Sequence, residues 1–253
     1  MELNGFDNEF LFVKALNNHK ICELNPLLAE VLYDLFPRED DSSIIKCWLN
    51  HYRQKSDIMI KVNGKIKGIS IKMGMKNSVH LEHINCFVRF LTENKVDKDI
   101  INMYLMYHYA DGTTNGTGIT RLSVNEYKKK NSNEIKKINK VFNDTLLLKK
   151  AIKRFVSQGN NSNYSISGII WGVVDDFLWI NTDDIINLIL SNKNEESSAV
   201  HFGPLICQPK TRCLNYNQKY EDDRHYVQIK WYTLFDNILD NMNRKQVDNV
   251  EET

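Results

Sequence analysis

Between Glu23 and Pro37 the chain reads ELNPLLAEVLYDLFP, with Leu28, Val31, Leu32 and Leu35 at i, i+3, i+4 and i+7. That spacing places four apolar side chains on one face of a helix. Asn25 can cap it, Pro26 sits where its missing N–H costs nothing, and Pro37 ends it. The segment SSIIKCWLNHYRQ predicts a second, shorter helix. The period then falls to two in SDIMIKV and KIKGISIKM, which Asn63-Gly64 joins. An Asn-Gly pair between alternating runs predicts a hairpin, because both residues tolerate positive φ. NSVHLEHINCFVRFLTEN predicts a helix capped by Asn77 or Ser78, burying Ile84, Phe87, Val88 and Leu91.

Further along, DIINMYLMYHYA is apolar enough for a central strand or a buried helix, and DGTTNGTG predicts a flexible turn. Ser123 and Glu126 form a capping box at the head of a lysine-rich helical stretch whose charges predict a solvated face. SISGIIWGVVDDFLWIN predicts a strand pair, and Thr182 is placed to cap DDIINLILSN. In HYVQIKW, Val227, Ile229 and Trp231 alternate with Gln228 and Lys230, as in a half-buried strand. A final helix and a frayed polar tail, NRKQVDNVEET, complete the chain. With no internal repeat or long linker, the expectation is one mixed α/β domain over residues 1–253. Its core spans roughly 20–180, with a C-terminal extension at roughly 195–242.

The hairpin carries more information than its existence. If Val62 pairs with Lys65, Asp57 lies opposite Ser70, and Lys72 shares their face. The other face holds Ser56, Ile58, Ile60 and Val62 against Ile69, Ile71 and Met73. A solvated outer face and a functional polar cluster both fit this alternation.

Composition narrows the classes. Thirty-three Lys and Arg against 32 Asp and Glu leave a net charge of +1, so the whole-molecule field does not announce a nucleic-acid partner. Five cysteines without a C-x-x-C pair argue against a disulfide framework or a structural zinc site. The N-terminal MELNGFDNEF has no secretory pattern, and no apolar run is long enough to span a bilayer, so the expectation is a cytoplasmic protein. HLEH spaces its histidines at i and i+3, which does not fit the zinc-protease helix.

An Asp on one strand and an x-x-Lys on the next, flanked by helices, resembles the PD-(D/E)xK nuclease superfamily over roughly residues 20–95. The resemblance implies a restriction-endonuclease-like mixed sheet flanked by helices. It implies a Mg²⁺-dependent DNA endonuclease of restriction or phage-defence type, with Mn²⁺ as a substitute ion. Asp57 would be a metal ligand and Lys72 would orient water or neutralise charge. Ser70 stands where the family carries an acid, as in a branch that reads S-x-K and takes its acid from the following helix. Glu82, ten residues after Lys72, is the nearest match for that acid and falls a little short of the branch's spacing. Glu30 is held in reserve as a metal ligand. Gln228-Ile229-Lys230 after Asp222 and Asp223 offers a weaker second version of the motif.

Lys210, Arg212, Arg224 and Lys230, interleaved with Tyr216 and Tyr220, are the candidate DNA contacts, with a mixed-charge surface loop as the competing reading. DNA is the expected partner, with a homodimer or a partner subunit of a defence system as further candidates. The competing function is a catalytically inactive nuclease-fold module that binds DNA or recruits a protein, Ser70 then marking a lost ligand.

Overall fold

The computed structural model describes residues 4–52, 54–74, 78–159 and 164–251, with side chains described to residue 244. Of the sequence expectations, Asn77 and the last two residues of the tail lie outside that set. In chain order, helices α1 (Gly5–Leu16) and α2 (Pro26–Leu35) precede strands β1 (Ile45–Leu49), β2 (Ile58–Val62), β3 (Lys65–Lys72) and β4 (Ser78–His83). Helices α3 (Ile84–Glu93), α4 (Lys98–Tyr109), α5 (Val124–Lys130), α6 (Ser132–Phe142) and α7 (Thr145–Ala151) follow, and α7 runs on into a π-helical segment, Ile152–Gln158. Then come β5 (Gly168–Val173), β6 (Asp176–Asn181), α8 (Thr182–Ser191), β7 (His201–Phe202) and β8 (Leu205–Pro209). The chain closes with α9 (Gln218–Glu221), β9 (Tyr226–Lys230) and α10 (Leu234–Glu251). The contacts divide the chain into two compact units.

The first unit comprises residues 1–77, 152–188 and 233–253. Its sheet has the order β1-β2-β3-β5-β6, antiparallel except for the parallel β3–β5 pair. Its core packs Phe12 and Leu16 of α1 and Leu28, Val31, Leu32 and Leu35 of α2 against the apolar face of the sheet, with Ile58, Ile60, Val62, Ile69 and Ile71. The Asn25 side chain accepts from Leu28 N at 2.8 Å, as the cap pattern predicts. Where a second short helix was expected, β1 forms instead. Ile45 and Cys47 are buried and Lys46 and Trp48 exposed, a period of two obscured in sequence by the outward-facing tryptophan.

The hairpin register is Val62↔Lys65 through Ile58↔Ile69, as the Asn-Gly turn requires. Asn63 and Gly64 both have positive φ, +44° and +86°. An added Cβ at Gly64 would meet nothing within 4 Å, so Gly64→Ala isolates the backbone term. We expect it to cost about 1 kcal/mol, read as a shift of the denaturant midpoint.

The second unit comprises residues 78–151 and 189–232. Its sheet has the order β4-β9-β8-β7, all antiparallel. Aromatic packing dominates its core: Phe87 lies 4.8 Å from Tyr104, and Phe142 stacks on Phe202 at 4.3 Å between ring centroids. The expected helix from Ser78 begins as β4 and becomes α3 only at Ile84. DIINMYLMYHY lies within the helix α4, and Ala110, with φ of +50°, caps its end.

The DGTTNGTG segment is no loose turn. Asp111 Oδ1 accepts from Thr113 N and Oγ1, and Asp111 Oδ2 accepts from Gly118 N at 3.0 Å. At the start of α8, Asn181 rather than Thr182 accepts from the helix, through Asp184 N at 2.9 Å, while Thr182 Oγ1 donates to Ile166 O. No helix among the described residues is long and apolar enough to cross a membrane.

Candidate active site

Asp57 stands just ahead of β2, where its N–H still donates to Ile69 O at 2.8 Å. Its side chain then takes the place of a strand carbonyl. Asp57 Oδ2 accepts from Ile71 N at 2.6 Å, from Ser70 Oγ at 2.9 Å and from Lys72 Nζ at 3.2 Å. A carboxylate held by three donors, one of them backbone, has a fixed orientation. Among the described residues, all three bonds converge on Oδ2 and none on Oδ1. Ser70 is buried, while the side chains of Asp57 and Lys72 are each 24% exposed, so solvent reaches the cluster through them. Lys72 Nζ also donates to Ile71 O at 3.1 Å.

A second carboxylate, on α1, is electrostatically coupled to this cluster. Asn4 caps the helix by accepting from Asp7 N at 3.0 Å, and the buried Asn8 donates through Nδ2 to Gly172 O of β5 at 2.9 Å. With Phe12 and Leu16 in the core, the next residue after Asn8, Glu9, is carried to within electrostatic reach of Asp57 and Lys72. Its pKa is raised, first by burial and then by the negative charge of Asp57, with Lys72 pulling the other way. Glu9 was absent from the sequence reading. Asn4 as cap and Asn8, Phe12 and Leu16 at four-residue spacing were available signals for the helix, but nothing local pointed Glu9 at Asp57.

The other expected residues go elsewhere. Glu82 is in strand β4 of the second unit, opposite Val227 and buried, its Oε2 3.6 Å from His80 Nε2. Its charge helps hold the Tyr104 and Cys207 protons in place. Glu30 is exposed on α2 and lines a cavity of about 210 Å³ with Asp34, Phe177 and Trp179.

The four basic candidates divide. Lys210 pairs with Asp223 at 2.8 Å, and Lys230 Nζ lies 5.3 Å from the Tyr232 ring. Arg212 and Arg224 are not surface cations: both are buried, at 8% and 1% exposure. Arg224 is drawn inside by the acids Asp111 and Glu221, each 2.9 Å away, and Arg212 by the carbonyls of Tyr107 and His108. In the weaker Gln228-Ile229-Lys230 motif, Gln228 Nε2 donates to Ser78 Oγ.

Among the described residues, no group of three or more His, Cys, Asp or Glu side chains is gathered tightly enough to hold a metal ion. The first unit offers two carboxylates whose charges oppose each other. That arrangement fits a hard divalent cation that draws its remaining ligands from water and phosphate.

A five-stranded mixed sheet flanked by helices matches a restriction-endonuclease-like fold. Among solved structures, restriction endonuclease MspI in complex with its cognate DNA is similar, with a TM-score of 0.52 at 12% identity. The match covers 89% of this chain and 91% of that one. At that identity the likeness is one of fold. No protein-family model and no curated protein matches the chain.

Proposed function

We propose that this protein is a Mg²⁺-dependent DNA endonuclease of restriction or phage-defence type, hydrolysing phosphodiester bonds, with Mn²⁺ able to substitute. The observation that carries the reading is the Asp57 carboxylate, locked through Oδ2 to Ser70, Ile71 and Lys72, with Glu9 within electrostatic reach. The fold likeness to a DNA-cutting enzyme supports it.

Asp57 and Glu9 would hold the ion between them. When bound, that ion supplies charge relief on the phosphate and a more acidic water. Lys72, held by its hydrogen bond to Asp57, would donate to a phosphate oxygen or hold the attacking water in line. Ser70 sets the Asp57 rotamer, and Glu9 supplies the acid that position 70 lacks. Purified protein should nick plasmid DNA with Mg²⁺, stop with EDTA and recover with Mn²⁺. DNA binding without cleavage under all three conditions would instead favour the inactive module that Ser70 raises as the alternative.

Glu9 makes the proposal pH-dependent. It must lose its proton to take part, and its raised pKa moves that step above the usual carboxylate range. Cleavage should therefore climb with pH across that step, and Glu9→Gln should flatten the climb. The Mg²⁺ concentration for half-maximal cutting should rise by about tenfold or more. Stability carries the opposite sign. A carboxyl whose folded pKa exceeds its unfolded one favours the folded state while protonated and loses that contribution as pH rises through the folded pKa. Without metal at neutral pH, Glu9→Gln should be slightly more stable than wild type. Mg²⁺ should raise the melting temperature of wild type and leave that of Glu9→Gln nearly unmoved.

A further inference from the structure

The second unit contains a cavity of about 570 Å³ between the head of α5, the strand β8 and the segment that follows β8. That is the size of a small-molecule site. Its lining includes three cations, Lys128, Lys210 and Arg212, and no carboxylate. Lys210 is neutralised by Asp223. Lys128 and Arg212 have no acidic partner among the described residues.

Arg212 is the informative side chain. Its Nη1 donates to Tyr107 O at 2.8 Å and His108 O at 3.3 Å, anchoring one corner of the guanidinium. The opposite edge, Nε and Nη2, is buried with no hydrogen-bond partner. Those two parallel N–H donors are the fork that matches two oxygens of a phosphate. Buried donors are nearly always satisfied in folded proteins; here the guanidinium lies 5.4 Å from the Tyr107 ring and 6.0 Å from the Tyr127 ring, and the two donors of this cavity-lining residue still lack an acceptor. Lys128 stands half-buried on the same wall, and its pKa is lowered by burial and by the Arg212 charge. Two cations are thus held against each other with no anion to offset them.

We propose that this cavity binds a nucleotide. Its phosphate is taken by the Nε–Nη2 edge of Arg212 and by Lys128, and its base lies against Val124, Pro209 and Leu214. Asn125 and Gln208 line the same cavity and bring side-chain amides, whose paired donor and acceptor suit a base edge. The site shares no residue with the Asp57 cluster and does not depend on DNA cleavage.

The test is equilibrium dialysis of the full chain in EDTA against dAMP, inorganic phosphate and a short DNA duplex. Wild type should bind dAMP at one site, and phosphate more weakly at the same site. Lys128→Ala, a change at a half-exposed position, should weaken both by tenfold or more. Arg212→Lys, which keeps the charge and removes the fork, should do the same. Asp57→Asn should bind like wild type. Saturation by dAMP marks a free nucleotide as the ligand, whereas Lys128-dependent binding of the duplex alone marks a nucleotide within a strand. Equal binding by wild type and Lys128→Ala, or no binding of any of the three probes, overturns the proposal. A chain that never cuts DNA yet binds dAMP through Lys128 would sink the nuclease reading and leave this site standing.

Discussion

On the proposed nuclease reading, Asp57→Asn should reduce DNA cleavage by at least about a thousandfold without unfolding the protein. The asparagine carbonyl can occupy the position of Oδ2 and still accept from Ser70 Oγ, Ile71 N and Lys72 Nζ, so the strand end stays satisfied. Its amide nitrogen replaces Oδ1 and turns a donor toward the place where a cation would need an acceptor. Asp57→Ala is a poorer probe, because it also strands the Ile71 N–H, and the folded state suffers with the chemistry. Lys72→Met should lower cleavage by about a hundredfold or more, and Lys72→Arg should not restore it, since a planar fork cannot replace a compact ammonium. The measurement is plasmid linearisation alongside a melting curve for each variant. Cutting by Asp57→Asn at the wild-type rate, with an unchanged melting curve, would remove this cluster from consideration.

The largest expected loss of stability lies in the second unit, at Asp111. The side chains of Asp111 and Arg224 are 0% and 2% exposed and meet at 2.9 Å. Arg224 also donates to Gly116 O and Glu221 Oε1, and Arg121 grips Glu221 through two further bonds of 2.9 and 2.7 Å. Asp111→Ala leaves the Arg224 charge buried beside a lone, half-exposed acid and frees the Thr113 and Gly118 N–H groups. The cost should be about 3–5 kcal/mol, measured by denaturant titration. A loss below about 1 kcal/mol would show that Arg224 finds solvent without its partner.

Acid should attack the same region. Burial pushes the Asp111 pKa up, but the hydrogen bonds from Thr113, Arg224 and Gly118 outweigh it and hold the group below its usual value. That stabilisation is present above about pH 4 and lost as pH falls toward the folded pKa. His108 acts earlier: burial lowers its pKa from 6.5 to about 3, so its contribution fades from about pH 6.5 downward.

The parts of this fold that could be read in advance are those fixed by local chemistry. The Asn63-Gly64 turn sets the hairpin register by itself, and with it the meeting of Asp57, Ser70 and Lys72. The elements that misled do so for identifiable reasons. In β4 the usual sense of alternation is reversed: His80 and Glu82 are buried, 3.6 Å apart, and Leu81 is exposed, so the apolar positions do not mark the inward face. Arg212 and Arg224 looked like surface cations because charge alone does not reveal the carbonyls and acids that draw them inward. Glu9 reaches Asp57 only through the docking of α1, a long-range event that no window of sequence contains.

The strand β3 finds its parallel neighbour β5 only after the chain has traversed most of the second unit, and α10, which lays Phe235 on Trp171 beside Lys72 in the register, comes last of all. During synthesis, then, the hairpin leaves the ribosome with the β3 edge open, a state suited to chaperone capture. A polypeptide stopped before β5 would leave that edge unpaired and prone to stick to other chains.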